Sequence, residues 1–312
     1  MVKPRIAITC GDPAGLGPEL IVKCLSEMQE DEVHLSLIGP QYWLKEAVRA
    51  CRFPVEPIVV GLPSVNCKVG KPTGESAKIA LEAMERAAHG CVLGEFDGVA
   101  TGPISKSRCA EVGFSHPGQT EFFASRWGGA PTMAFVGEKL KVVLATWHIP
   151  LPMVAYYLTA SCLTMAIDRA NDLVTRLGCR NPRIGVCGLN PHAGEEGLLG
   201  SEEIAIFNPL IARLRESIPG LSDCQPGDTL FHRALKGEFD VVVALYHDQG
   251  LAPLKAVEFD KAVNVTLGLR YTRTSPDHGT GYDIAGTGTA SHQSFIRAIR
   301  LAIQLSERSA VV

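Results

Sequence analysis

The chain alternates between short apolar runs and longer stretches whose apolar residues recur every three or four positions. The short runs predict strands over 5–9, 34–38, 98–101, 133–136, 142–146, 184–188, 241–245 and 263–267. Between them, Leu163, Ala166, Ile167, Ala170, Leu173, Val174 and Leu177 share one face of a helix over 162–177, with Gly178 as its stop. The same spacing predicts helices over 18–28, 75–88 and 293–305. Apolar strands alternating with helices predict an α/β fold with a largely parallel sheet. No internal repeat, low-complexity segment or flexible linker is visible.

Three of the apolar runs lead to a histidine. KVVLATWHIPL delivers His148, RIGVCGLNPHAG delivers His192 after an Asn-Pro turn, and DVVVALYHDQG delivers His247 with Asp248 beside it. Open α/β sheets bind ligands at the carboxyl ends of their strands, so three such strands can bring three imidazoles to one place. Three neutral imidazoles with an open fourth position make a catalytic metal site rather than a structural one. The competing reading is that each histidine is a loop residue with its own hydrogen bonds.

Composition narrows the classes. A chain of 312 residues holds one large or two medium domains, and 46% hydrophobic with 20% charged residues is ordinary for a soluble enzyme. The net charge of −3 comes with no basic stripe, which argues against a nucleic-acid partner. No apolar run is long enough to span a bilayer, and MVKPRIAITCGDP enters a strand and a Gly/Pro turn without an apolar leader. A cytoplasmic protein is expected. The ten cysteines form no CxxC pair, and Cys10, Cys24, Cys91, Cys162 and Cys187 sit in apolar runs, where reduced thiols serve as small hydrophobes.

Further polar residues fall among turns and strand ends. Lys255, Asn264 and Arg273 are suited to a phosphate or carboxylate, Arg as a bidentate fork and Lys as a point charge, although a loop cation is commonly just solvated. GDPAGLGPE follows the first strand and opens a helix, yet it is neither GxGxxG nor GxxxxGK[ST]; on residues alone it is a tight turn. DHGTGYDIAGTG could wrap a nucleotide or simply connect. Glu195 and Glu196, near a helix start, read as complementing its dipole before any acid–base role. Ser105 beside Lys106 is a weak candidate for a nucleophile and its base, and there is no GxSxG.

In order along nearly the whole chain, GDPAGLGPE, ATGPISK, HPGQTEF, HIPL, NPHAGEEGLLGSEE, GDTLF, ALYHDQGLAPLK, VNVTLGL, RTSPDHGT and DIAGTG closely resemble the 4-hydroxythreonine-4-phosphate dehydrogenase family of vitamin B6 biosynthesis. That family is related to the isopropylmalate and isocitrate dehydrogenases, whose GDGIGPE and HGSAPDIAGKG loops resemble the two glycine stretches here. The resemblance replaces the plain reading of both loops with nucleotide binding. It implies a two-domain isocitrate/isopropylmalate dehydrogenase-like α/β fold with largely parallel sheets and an active-site cleft between the domains. The expected division is 1–118 plus 268–312 on the cofactor side and 119–267 for metal, substrate and dimerisation.

The resemblance implies His148, His192 and His247 as ligands of a divalent metal: zinc first, with magnesium, manganese or cobalt as alternatives. It implies substrate contacts from Gln119, Thr120, Lys255, Asn264 and Arg273, and NAD (or NADP) along His278, Gly279, Asp283 and Gly286. The family is a homodimer with interfacial active sites, so the three histidines need not come from one chain. Asp228 of GDTLF and Asp248 are the candidates for the base that takes the hydroxyl proton, with Asp248 alternatively orienting a ligand histidine. The implied reaction is oxidation of 4-phosphooxy-L-threonine followed by decarboxylation. One departure stands out: this chain reads GQTE where most members read GHTE, and the Gln119 amide can neither become a cation nor transfer a proton near neutral pH. A relative oxidising another substrate, such as a four-carbon sugar-acid phosphate or a dihydrodiol carboxylate, stays open. So do a three-histidine metal-dependent hydrolase and a non-catalytic binder of phosphorylated metabolites.

Overall fold

The computed structural model describes residues 3–29 and 33–306. Its strands are β1 (Arg5–Thr9), β2 (His34–Gly39), β3 (Val55–Val59), β4 (Gly98–Thr101), β5 (Gly129–Val136), β6 (Lys141–Leu144), β7 (Ile184–Cys187), β8 (Leu221–Gln225), β9 (Val241–Ala244), β10 (Val263–Leu269) and β11 (Thr272–Pro276). The chain forms two compact units, Met1–Pro131 with Val263–Val312, and Thr132–Ala262. The expected division was likewise discontinuous, but the breaks fall at 131 and 262 rather than at 118 and 267. The helix Gln119–Trp127 packs its Phe122, Phe123 and Trp127 into the core of the first unit, and β10 pairs with β11, which keeps both segments there.

The first unit orders its strands β3-β2-β1-β4-β11-β10, parallel except for the β10/β11 hairpin. The second orders them β5-β6-β9-β7-β8, parallel except for β5/β6. This is the α/β fold with mostly parallel strands that the alternation predicts. The helix Ala160–Arg176 buries Leu163, Ala166, Ile167, Ala170, Leu173 and Val174, the face read from the spacing, behind an N-cap in which Thr159 accepts from the Cys162 amide. Three strands escape hydrophobic patterning. The edge strands β3 (VEPIV) and β8 (LSDCQ) carry Pro57, Glu56 and Asp223, which suit an unpaired side, and β11 (TRTSP) is fully buried yet polar.

The two units repeat one device. Arg5, opening β1, donates from its backbone N and its guanidinium to Asp97 ahead of β4, at 2.9–3.1 Å, and the Asp97 amide returns to the Arg5 carbonyl at 2.7 Å. Arg183, ahead of β7, makes the same bonds to Asp240 ahead of β9 at 2.8–3.1 Å, with the Asp240 amide returning at 2.8 Å. Each clasp ties the starts of two neighbouring parallel strands. All ten cysteines are free thiols, and burial pushes the Cys10, Cys24, Cys91 and Cys187 thiols up, so they stay packed and protonated. Among the described residues no single helix is long and apolar enough to cross a membrane.

Candidate functional site

In the second unit, β6 and β9 are neighbours, and the segments beyond them bring two of the three histidines together. The His148 and His247 rings lie 5.7 Å apart between centroids. They line a cavity of about 280 Å³ with Thr146, Trp147, Tyr246 and Asp248. His247 opens the helix His247–Glu258, and its Nδ1 donates to Asp248 Oδ1 at 2.7 Å. Asp248 thus holds the ring by this hydrogen bond. Asp228 stands exposed in the first turn of the helix Gly227–Leu235, where it complements the dipole, and does not line the cavity. Lys255 lies further along the His247 helix, its ammonium 5.8 Å from the centre of the Phe259 ring.

His192 follows β7, on the other side of β9, and does not line this cavity. Its loop is a left-handed turn: His192, Ala193, Gly194, Glu195 and Glu196 have φ of 53°, 53°, 86°, 43° and 54°. With His148 at φ 50°, these are the only non-glycine residues at positive φ among the described residues. Each costs roughly 1–2 kcal/mol relative to the right-handed form. Strain of this kind persists only where the surroundings enforce it, and it concentrates at functional sites. Inside the turn, His192 Nδ1 donates to Glu195 Oε2 at 2.7 Å. Glu195 therefore grips the imidazole instead of merely complementing a dipole.

Two of the three expected ligands, His192 and His247, thus have Nδ1 tied to a carboxylate. That leaves Nε2 as the ligand nitrogen, the arrangement metal-binding histidines share, and the donor chemistry fits a divalent cation. Within this one chain the set is a pair: among the described residues no three His, Cys, Asp or Glu side chains stand close enough to share an ion. Convergence of all three strand ends within one chain is therefore not what the fold produces.

The first unit gathers most of the expected substrate residues around Arg273. Its guanidinium, 4% exposed, donates to Thr101 Oγ1, Gln119 Oε1, Asn264 Oδ1 and Thr266 Oγ1 at 2.9–3.3 Å. None of these partners is charged. Burial pulls the Arg273 pKa down to about 10, with Glu121 opposing the fall. Gln119 commits both ends of its amide, since Nε2 also donates to the Gly102 carbonyl at 3.1 Å. Thr120 is buried with its hydroxyl 3.5 Å from that of Thr266. Thr101 and Thr266 were not singled out from sequence. Thr266 was within reach, because it sits two residues past Asn264 on one strand face and opposite Arg273 in register. Thr101 comes from β4 and has no local signal.

The two glycine stretches meet in the same unit. Leu16 N donates to the Thr280 carbonyl at 2.8 Å, and Gly286 N to the Glu19 carboxylate at 2.8 Å. The Tyr282 hydroxyl donates to buried Asp12 at 2.7 Å. A Cβ on Gly15 would stand 2.8 Å from the Thr280 carbonyl, so the close approach requires glycine there. His278 Nε2 is buried without a hydrogen-bond partner, an unsatisfied polar atom of the sort a bound polar ligand completes. Asp283, Gly279 and Gly286 are exposed along the same loop. These features fit a cofactor.

The chain thus holds two mostly parallel α/β units, one with strand-end imidazoles and one with a buried guanidinium. The isocitrate dehydrogenase of Methylococcus capsulatus shares the fold, at a TM-score of 0.52 and 14% identity, covering 96% of this chain and 84% of that one. Residues 20–302 match the family described as pyridoxal phosphate biosynthetic protein PdxA, and the chain belongs to it. A 4-hydroxythreonine-4-phosphate dehydrogenase from Methylococcus capsulatus is 39% identical over 97% of each chain. The structure of the enzyme of that name from Klebsiella pneumoniae superposes with a TM-score of 0.83 at 34% identity, covering 97% of this chain and all of that one. A terephthalate 1,2-cis-dihydrodiol dehydrogenase from Burkholderia xenovorans gives 0.72 at 28% identity over 96% and 98%.

Proposed function

We propose that the protein oxidises the secondary alcohol of 4-phosphooxy-L-threonine with NAD and a divalent metal. The product, 2-amino-3-oxo-4-(phosphooxy)butanoate, loses CO2 to give 3-amino-2-oxopropyl phosphate. The observation that carries this reading is Arg273, a buried guanidinium whose hydrogen-bond partners are all neutral. Such a charge is poorly compensated until an anion arrives, and a phosphate accepts its fork in the bidentate manner Arg favours. Gln119 and Asn264 orient the guanidinium, and the Thr101 and Thr266 hydroxyls complete its shell. With both ends committed, Gln119 positions Arg273 and moves no proton.

A bound divalent ion, held by His148, His192 and His247, would supply Lewis acidity that lowers the substrate hydroxyl pKa and offsets charge as hydride departs. Asp248 and Glu195 keep the His247 and His192 rings in register for it. Lys255 offers a further positive charge to the substrate. His278, Gly279, Asp283 and Gly286 would hold the nicotinamide cofactor, which would accept the hydride. A second copy of the chain completes the imidazole set. In support, the second unit exposes Leu151, Tyr156 and Leu198 at 67%, 74% and 83%, apolar surface that dimerisation would cover.

The neutral Gln119 favours one second reading. With a neutral Gln119 beside Arg273, a carboxylate of charge −1 is also matched by the guanidinium, as on the dihydrodiol named for the Burkholderia neighbour. The test is NADH formation from 4-phosphooxy-L-threonine by metal-stripped protein, repeated after zinc, magnesium or manganese is restored. Metal-dependent NADH supports the assignment. No turnover by folded, metal-loaded, NAD-binding protein overturns the substrate and moves the search to dihydrodiol carboxylates and sugar-acid phosphates. Metal-dependent hydrolysis without NAD would place the protein in another class.

A further inference from the structure

The left-handed turn after β7 is wrapped around one carboxylate. Glu203 is fully buried, and Oε1 accepts the backbone N–H groups of Leu189 and Asn190, both at 2.8 Å, the two residues entering the turn region. Its Oε2 accepts from Asn190 Nδ2 at 2.9 Å. The same Asn190 amide donates to Glu202 Oε2 at 2.8 Å, so both of its hydrogens are committed. The turn closes tightly on this carboxylate: a Cβ at Gly194 would stand 2.9 Å from Glu203 Oε2, and one at Gly188 would stand 2.7 Å from Ala193 Cα. Among the described residues Glu203 has no cationic partner; its interactions are with N–H donors. An anion buried on those terms is costly, and an apolar residue would fill the space more cheaply unless the carboxylate has a task.

We propose that Glu203 is a positioning residue: its carboxylate holds the chain entering the turn in the geometry that forces His192–Glu196 left-handed, and so sets where the His192 imidazole stands. This rests on the reading of His192 as a metal ligand. An ionised carboxylate accepts three converging N–H donors with no hydrogen of its own to set against them. An amide at the same position would press its own NH2 against one of them.

The experiment compares full-length wild type with Glu203→Gln and His192→Ala. Zinc affinity is measured by chelator competition, and amide exchange is followed at Leu189 and Asn190. Glu203→Gln should bind zinc about 10–100-fold more weakly while remaining folded. Exchange at the two amides should accelerate in Glu203→Gln and stay unchanged in His192→Ala. Wild-type zinc affinity in Glu203→Gln, with weakened binding in His192→Ala, overturns the positioning role and leaves the ligand reading intact. Wild-type affinity in His192→Ala overturns the ligand reading and the inference with it. Should Glu203→Gln not fold, Asn190→Ser removes the donor to Oε2, and with it the bond to Glu202, while both backbone N–H bonds to Oε1 stay. A several-fold loss of zinc affinity there supports the proposal, and no loss overturns it.

Discussion

β1 and β7 each run between two parallel neighbours, and each starts beside an Arg–Asp clasp of the same form. Beyond their opposite ends they part. After β1, the chain bends at Gly11, φ +70°, and a Cβ there would meet the Pro103 carbonyl at 2.5 Å. Glycine takes that conformation without strain, and the loop serves as close-packed backbone. After β7, a histidine, an alanine and two glutamates occupy the same region of φ/ψ space, and the loop serves to present side chains. Backbone that must approach a neighbour closely uses glycine; backbone that must aim an imidazole and its carboxylate partner cannot. The cost shifts from composition to strain, held in place by a buried acid.

Two of the buried ionisable groups, Arg273 and Glu203, follow a parallel contrast. Side-chain oxygens from β4, β10 and the helix Gln119–Trp127 surround Arg273, and an arriving ligand can share such partners. Backbone N–H groups hold Glu203, which makes it part of the architecture. The largest expected effect tests this. Arg273→Met should lower kcat/KM by about 10²–10³-fold, mainly through KM, as loss of one partner in a buried charge pair costs about 2–5 kcal/mol. Steady-state kinetics with wild-type values would remove Arg273 from the anion site. Asp248→Asn should weaken zinc binding about 10–100-fold while NAD binding measured by calorimetry stays the same. Equal loss of both would mean that the substitution damages more than one ring's orientation.

The loop contrast predicts opposite signs in urea unfolding. Gly11→Ala should destabilise by at least about 1–2 kcal/mol, from the left-handed backbone alone and more from the Pro103 contact. Ala193→Gly should stabilise by up to about 1 kcal/mol by relieving strain. Shifts in the same direction would break the comparison. The smallest effect belongs to the clasp. Burial pushes the Asp240 carboxyl up, but the hydrogen bonds and charge of Arg183 outweigh it and hold the pKa below the usual value. The contribution is therefore present above the unfolded carboxylate pKa of about 4 and is lost as pH falls through the lower folded value. Asp240→Asn should cost under about 1 kcal/mol at pH 7, because Arg183 is half exposed, and nothing once the wild-type carboxyl is protonated. A difference that persists below the folded Asp240 pKa would exclude the ion pair as its source.

Hydrophobic alternation and helical spacing determined the α/β class, eight of the eleven strands to within a few residues, and the buried face of Ala160–Arg176, because burial of apolar side chains leaves a local period. Ordered motifs carried the family and the residues around Arg273. The tertiary structure alone decided the rest. It placed β11, whose buried polar residues have no apolar period, and it brought Thr101 of β4 against Arg273 across 172 positions. It paired His148 with His247 and left His192 apart, since the order of neighbouring strands is not written in any one of them. It also made the His192–Glu196 turn left-handed. Local propensity opposes that hand at every non-glycine position, and Glu203, reaching back from beyond the turn, holds the two residues that lead into it.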